Sequence, residues 1–439
     1  MNIDFLAKLV EIDTSPDAVN YGKCAKVISK KAERSGLAVE VHSPNNLKQN
    51  IIISLDAGAK QTLLLATHYD VVPAGGGWKN PPFRLTVKEG RAYGRGAADD
   101  KGGILAALSA LEALRESGSS RVNLRLLVTC DEEIGGEDGL GFLMKKKTNK
   151  GFLLKGDAAI LVDAGPRVYM GSSGRFGGRI TARGSLPELL SLLSEVAGYS
   201  KEREKFLSKL VSASTGRRIQ GRFSLTMLAL RAGAVEYAKA GVKSNIIPGE
   251  CLIKLKGKKE IVVLGKQGHA GYPHLAKNAI EKSIPLLRKA AGISKEEGKC
   301  EFVFDLRTIP EESLGSAIAD FRKYLKELNS RAELQIEEKS AGYVLSEIHP
   351  FVSMLKSAAG ERRAYGTLGG TDARFFSRRG IPSLCFGPIA DESNAHGKDE
   401  FVKIRDLEFV SSALVRLCEN WRDFRASPYG RARRAPFSE

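Results

Sequence analysis

His68, Tyr69 and Asp70 follow directly on Thr62-Leu63-Leu64-Leu65-Ala66-Thr67, an apolar, β-prone run of strand length. Val71-Val72-Pro73 then breaks away. A histidine at the end of a buried strand stands where open α/β sheets carry their chemistry, beyond the carboxyl ends of the strands. The two-residue spacing turns His68 and Asp70 to one side of an extended backbone. An aspartate so placed can accept the second ring N–H of a metal-bound imidazole, fixing its tautomer and raising its basicity. An ordinary strand-to-loop turn would look the same in one motif, so the weight falls on whether the pattern recurs.

It recurs. Val122 to Thr129 is a second apolar strand, and it ends in Cys130-Asp131-Glu132-Glu133-Ile134-Gly135-Gly136. Three consecutive acids at the mouth of a buried strand repel one another unless a metal or a proton compensates, the alternative being an exposed acidic loop. Ala158 to Val162 is a third such strand, with Asp163 at its end. Between them lies Gly94-Arg95-Gly96-Ala97-Ala98-Asp99-Asp100-Lys101-Gly102-Gly103. It is no Walker loop, since no Ser or Thr follows the lysine, and no dinucleotide fingerprint, since the third glycine is missing. Two carboxylates in this Gly-lined turn are costly unless solvated or matched by a cation. The repeated placement of His, Asp and Glu at strand ends points to a metal centre.

The elements that must position these residues divide into two sets. Up to residue 174 strand-length runs alternate with helical periodicity, including a helix over Ile104 to Glu116. Residues 175–339 carry their own strands (Arg179 to Ala182, Cys251 to Leu255, Ile261 to Leu264, Phe302 to Leu306) and amphipathic helices (Pro187 to Val196, Glu202 to Leu210, Ala276 to Ala290, Leu314 to Leu328), and form an inserted α+β domain. From 340 to 439 the first domain resumes, ending in an Arg-rich tail. A length of 439 residues suits about two to three domains. Hydrophobic content of 42% and charged content of 27% describe a globular protein. The N-terminus has no secretory pattern, and no apolar run reaches the ~20 residues that span a bilayer. Six dispersed cysteines without a CxxC pair argue against a zinc ribbon or a disulfide framework and suit a reducing cytoplasm. The net charge of +17 is spread along the chain, with no zinc-finger spacing and no aromatic RNA-binding signature, which makes nucleic acid an unexpected partner.

With these residues in view, the chain resembles the cocatalytic zinc metallopeptidases and deacylases: aminoacylase, acetylornithine deacetylase, succinyl-diaminopimelate desuccinylase, glutamate carboxypeptidase and bacterial dipeptidases. The resemblance is carried by His68-Tyr69-Asp70-Val71-Val72-Pro73, by the Gly94–Gly102 segment, by Asp131-Glu132-Glu133 and by Asn394-Ala395-His396, in family order over nearly the whole chain. It implies an α/β catalytic domain with a central, mostly parallel sheet, and an α+β lid domain inserted in it. It implies two divalent ions, zinc with cobalt or manganese as substitutes, held by His68, Asp99, Glu133, Asp163 and His396, with Asp99 bridging. Asp70 would orient His68, Glu132 would be the general base, and His269 would be the lid histidine that stabilises the oxyanion. Asn245, Arg307, Gly370 and Thr371 resemble contacts to a substrate carboxylate. The remaining histidines fit blander places: His42 and His349 on the surface, His274 packed in a turn.

One departure bears on the substrate. The Asn245 segment precedes the His269 segment, as in bacterial dipeptidases, whereas desuccinylase-like members have the reverse order. The wording Gly268-His269-Ala270-Gly271-Tyr272-Pro273-His274 and Gly370-Thr371-Asp372 is closer to a desuccinylase. The expectation is a metal-dependent hydrolase of a small carboxylate-bearing amide. A dipeptide is the first choice of substrate and an N-acyl amino acid the alternative, with the enzyme a monomer or homodimer. An inactive hydrolase fold that binds nucleic acid is the rival outside the class.

Overall fold

The computed structural model describes residues 1–18, 20–149, 151–207, 223–270, 276–290, 296–308, 312–329, 331–367 and 371–425, the side chains of 200–207, 269 and 290 excepted. Gly370, His274, the end of the helix expected to reach Leu210 and the Arg-rich tail lie outside the described residues. The chain forms two compact units. One comprises Met1–Gly171, Leu345–Tyr365 and residues 371–425; the other is centred on Ser172–Val344. The divide thus falls at 172 and 344, where the sequence suggested 175 and 339.

The first unit is built on β1 (Ala38–His42), β2 (Asn50–Leu55), β3 (Thr62–His68), β4 (Asn123–Thr129), β5 (Ala158–Leu161), β6 (Tyr169–Ser172) and β7 (Ser383–Cys385). They are hydrogen-bonded in the order β1-β2-β4-β3-β5-β7-β6. The centre, β4-β3-β5-β7, is parallel; the pairings at either side are antiparallel. Leu63, Leu64 and Leu65 of β3 and Leu126, Leu127 and Val128 of β4 are fully buried. That is why these strands read as continuous apolar runs: a parallel sheet is covered on both faces.

Register sets the level at which the chain leaves each strand. His68 is paired with Thr129, and Ala66 with Leu161. The residues just past β4 and β5 therefore emerge at the level of His68, on the carboxyl edge of the parallel strands. The helix Lys101–Ser117 packs behind, against the helix Ile404–Glu419. The latter has a clear apolar face in Leu407, Val410, Leu414 and Leu417.

The second unit is a seven-stranded sheet in the order Ile261–Leu264, Glu250–Leu255, Val235–Ala240, Phe223–Ala232, Glu297–Arg307, Arg175–Ser185, Glu333–Ser340. Its core gathers Phe176, Phe223, Phe304 and Phe321, with the helices Ala279–Ala290 and Leu314–Leu328 and a single long helix, Leu186–Leu207, packed on it. The sequence suggested two helices here. Leu189, Leu190, Leu193, Val196 and Tyr199 are buried in one continuous series, and this burial outweighs the weak helix preference of Gly198. Among the described residues no helix is long and apolar enough to cross a membrane.

Phe321 is fully buried, with ring centroids 4.7 Å from Phe304, 4.9 Å from Tyr199 and 5.6 Å from Phe223. Phe321→Ala should destabilise this unit by about 3–5 kcal/mol, read as a lower urea midpoint.

Candidate metal centre

The carboxyl edge of the parallel strands gathers the acids that the sequence placed at strand ends. His68 ends β3 and is 1% exposed. Its Nε2 lies 3.1 Å from Asp99 Oδ1 and 3.9 Å from Asp163 Oδ2. Its Nδ1 lies 3.0 Å from the carbonyl oxygen of Asp70 and 3.4 Å from the Asp70 carboxylate. His396 Nε2 lies 3.1 Å from Asp99 Oδ2 and 3.0 Å from Glu133 Oε1. Two groups result, His68–Asp99–Asp163 and Asp99–Glu133–His396, each with ligand atoms within 4.8 Å of one another. They share Asp99, one oxygen facing each histidine. Imidazole nitrogen and carboxylate oxygen at this spacing are a donor set for zinc, cobalt or manganese.

Asp70 does more than face His68. Its two carboxylate oxygens accept the backbone N–H of Glu132 at 3.2 Å and of Glu133 at 3.0 Å. One residue thus ties the β3 end to the turn Glu132–Ile134 after β4. Two glycines permit the close approach. A Cβ on Gly136, which has a φ of 70°, would meet Asp372 Oδ1 at 2.6 Å, and one on Gly103 would meet Asp100 Oδ1 at 2.0 Å.

Several contacts here were given no partner by the sequence. Glu400 and Arg95 form an ion pair beneath Asp99. Asp100 is buried, and Lys101 donates to the carbonyls of Leu9 and Ile12 at 2.9 and 2.8 Å. Lys48 pairs with Asp131 and Asp138. Arg374 donates to the Gly135 carbonyl and lies 3.4 Å from Asp372. The only sequence signal was charge inside a glycine-rich stretch, as at Arg95 and Lys101; Glu400 lies in the charged run Lys398-Asp399-Glu400. His349 corrects the surface expectation: it is 1% exposed, and its Nδ1 accepts the Phe351 N–H at 3.2 Å to cap the helix Pro350–Ala359. His42 is half-buried between Glu40 and Lys146.

The residues expected to touch substrate divide between the units. Thr371, in the first, accepts the Ala373 N–H at 3.3 Å. In the second, Ile246 pairs with His269, and the Asn245 carbonyl accepts the Ala270 N–H at 2.8 Å. The Asn245 and His269 segments are therefore neighbours. Arg307 is 2% exposed, and its Nε and Nη2 reach the two oxygens of Asp305 at 2.6 and 3.2 Å. That fork is already engaged with a carboxylate of its own unit, which Arg175 also holds.

Electrostatics of the centre follow from crowding. Burial by itself would raise Asp99, but hydrogen bonds from His396 and His68 hold it well below the usual carboxylate range. Burial disfavours both charged imidazoles; Asp70 and Asp99 for His68, and Glu133 and Asp99 for His396, nonetheless raise them well above 6.5. Burial, then the charge of Asp99, pushes Asp163 from 3.8 to about 7. Burial, then Asp163 and Asp372, raises Glu132 well above 4.5. The cluster holds protons where it lacks other positive charge, and divalent cations would displace them.

A parallel-centred sheet whose carboxyl edge presents two such groups around a shared carboxylate belongs to the metallohydrolases. Residues 64–420 match Peptidase family M20/M25/M40, and the chain belongs to that family. It is a metallohydrolase that acts on amide bonds. A cysteinylglycine-S-conjugate dipeptidase of Corynebacterium striatum is 41% identical over 130 residues, covering 29% of this chain and 29% of that protein. A succinyl-diaminopimelate desuccinylase of Helicobacter pylori (strain HPAG1) is 29% identical over 360 residues, covering 81% of this chain and 79% of that protein. The crystal structure of a metallo-carboxypeptidase from Sulfolobus solfataricus shares the fold, with a TM-score of 0.64 at 18% identity over 95% of this chain and 99% of that one.

The raised Asp163 and Asp372 carboxyls and the raised imidazoles have one sign: the folded state binds more protons than the unfolded. With a chelator present, the cluster's contribution to stability should fall as pH rises from about 4, through the folded value near 7 for Asp163, and on through the imidazoles. Urea midpoints against pH, wild type beside Asp163→Asn, check this; the variant should show a flatter fall.

Proposed function

We propose that the chain is a dinuclear metallopeptidase of small carboxylate-bearing substrates, a dipeptide first among them. The observation that carries this reading is the pair of donor groups sharing Asp99, with Glu132 held beside them through Asp70. In this reading His68, Asp99 and Asp163 hold one cation and Asp99, Glu133 and His396 the other, zinc by preference with cobalt or manganese as substitutes. Two such cations supply an acidified water and polarise the scissile carbonyl. Asp70 fixes the ring of His68 and, through two amide hydrogen bonds, the position of Glu132. Glu132 takes the proton of the attacking water and passes it to the leaving amine. His269 donates to the developing oxyanion, and Asn245, Gly370 and Thr371 receive the substrate carboxylate; Arg307, its fork held by Asp305, is left out of that set. The oligomeric state that best suits the order of the Asn245 and His269 segments is a self-sufficient monomer, with a homodimer the alternative. Six free, buried cysteines support a cytoplasmic place.

A second reading, hydrolysis of an N-acyl amino acid such as an N-succinyl substrate, is favoured by the Helicobacter pylori relative, whose similarity spans far more of the chain than that of the dipeptidase. A panel of dipeptides and N-acyl amino acids, run with zinc, cobalt or manganese added to chelator-treated protein, separates the two. Full activity in a rigorously metal-free sample would sink both.

Glu132→Gln should keep the cations and lose ~10²–10⁴-fold in kcat, since the amide cannot take a proton at neutral pH. Near-normal turnover would reduce Glu132 to an acidic loop residue. His269→Ala should leave metal content unchanged and lower kcat by ~10²–10³-fold, the effect of losing one oxyanion donor. A change in stability alone would instead assign His269 to packing.

A further inference from the structure

Glu400 is fully buried, and both of its carboxylate oxygens are engaged. Oε1 accepts the backbone N–H of Ala98 at 2.9 Å and of Asp99 at 3.0 Å; Oε2 pairs with Arg95 Nη1. Arg95, 1% exposed, donates through Nη2 to the Gly397 carbonyl at 3.0 Å, and its guanidinium lies over the Trp78 ring, 5.1 Å from the centroid. One ion pair thus grips the segment that carries Asp99 and the segment that carries His396. A short ladder brings it there. Tyr93 pairs with Phe401 in antiparallel register, and one residue further on the Gly94 N–H donates to the Glu400 carbonyl at 2.9 Å.

The gripped segment is conformationally unusual. Asn394, His396 and Asp399 have φ of 54°, 63° and 55°, left-handed values that side-chain-bearing residues hold only when their surroundings over-determine them. The Lys79 N–H donates to Asp399 Oδ1 at 2.8 Å, adding a further hold. A buried ion pair is a poor device for stability alone, because a well-packed apolar pair commonly serves as well. An apolar pair cannot take two amides and a carbonyl in fixed directions.

We propose that Arg95 and Glu400 are positioning residues that set Asp99 and His396 for cation binding before any cation arrives. This rests on reading Asp99 and His396 as cation ligands, and the test separates the two claims. Metal-free protein is titrated with Zn²⁺ by calorimetry and with Co²⁺ by visible absorption. Wild type should bind two cations. Binding of none would overturn the ligand reading and this proposal with it.

Glu400→Gln removes the charge that holds Arg95, and Arg95→Lys keeps a charge but loses the fork to Gly397. Each should weaken the cation of the Asp99–Glu133–His396 group by ~10–100-fold, the usual effect of losing a group that orients a ligand, with a smaller loss at the other cation through the shared Asp99, and alter the Co²⁺ spectrum. Leu114→Ala, a core truncation at the far end of the helix Lys101–Ser117, should lower the melting temperature and leave both affinities alone. Wild-type affinities in Glu400→Gln and Arg95→Lys would overturn the proposal, and so would an equal loss in Leu114→Ala. Should the two clamp variants fail to fold, amide exchange in metal-free wild type decides. The Ala98 and Asp99 amides should be protected, and exchange as fast as in an exposed loop would overturn the proposal.

Discussion

The structure depends on holding like charges together away from water. Asp70, Asp99, Asp131, Glu132, Glu133, Asp163 and Asp372 crowd the carboxyl edge of one sheet, where each raises the proton affinity of others. Left alone, such a cluster would open toward solvent. The chain offsets this by giving backbone donors or cations to several acids around the two donor groups. Asp70 takes the amides of Glu132 and Glu133, Glu400 those of Ala98 and Asp99, and Asp131 the amide of Asp138 together with Lys48. Peptide donors are fixed by the fold, so they also fix direction. In the two groups around Asp99 the crowded acids face the two histidines, and there further compensating charge comes from protons or from cations.

Much of this was legible in the sequence because the parallel centre leaves a plain trace. Both faces of β3, β4 and β5 are covered, so the strands are uninterrupted apolar runs, and a charged residue at the end of each stands out. The placement of His68, Glu132, Glu133 and Asp163 follows from that trace and from register. Arg95 and Glu400 left no such mark. The two are 305 positions apart in the chain, and an Arg in a Gly-rich loop or a Glu in a charged run reads as solvated. His349 was hidden for a related reason: its role is a helix cap and a ring contact with Phe424, which depends on tertiary packing. In the second unit the strand Glu333–Ser340 alternates exposed and half-buried residues with many charges, the pattern of a sheet edge, and the long helix is decided by burial where propensity is neutral.

The second unit shows the same economy of charge by a different route. Arg175 and Arg307 are directly opposite one another in neighbouring strands, a repulsive pairing by itself. Asp305, two residues before Arg307 and fully buried, accepts from both guanidinium groups, and Glu338 meets Arg175 from the next strand. Ser244 donates to Glu338 at 2.6 Å, so the network reaches the residue beside Asn245. A planar guanidinium held on both sides has little freedom left. The segment in which Asn245 and His269 are neighbours is thereby tied to the Arg175–Asp305–Arg307 network of its own sheet.

A net charge of +17 and a centre made of carboxylates are compatible because they act over different distances. Exposed lysines and arginines are screened within about 8 Å at physiological salt, so they bias the approach of anions and do little to the buried cluster. Buried acids a few ångströms apart, with low-dielectric walls around them, set the local field almost alone. That field selects cations of high charge density, and two divalent ions turn its sign or cancel it. In the reading proposed above, only then would the site cease to repel an anionic substrate. On this physics cation binding would precede productive binding of such a substrate, and its affinity would be linked to the occupancy of the two groups around Asp99.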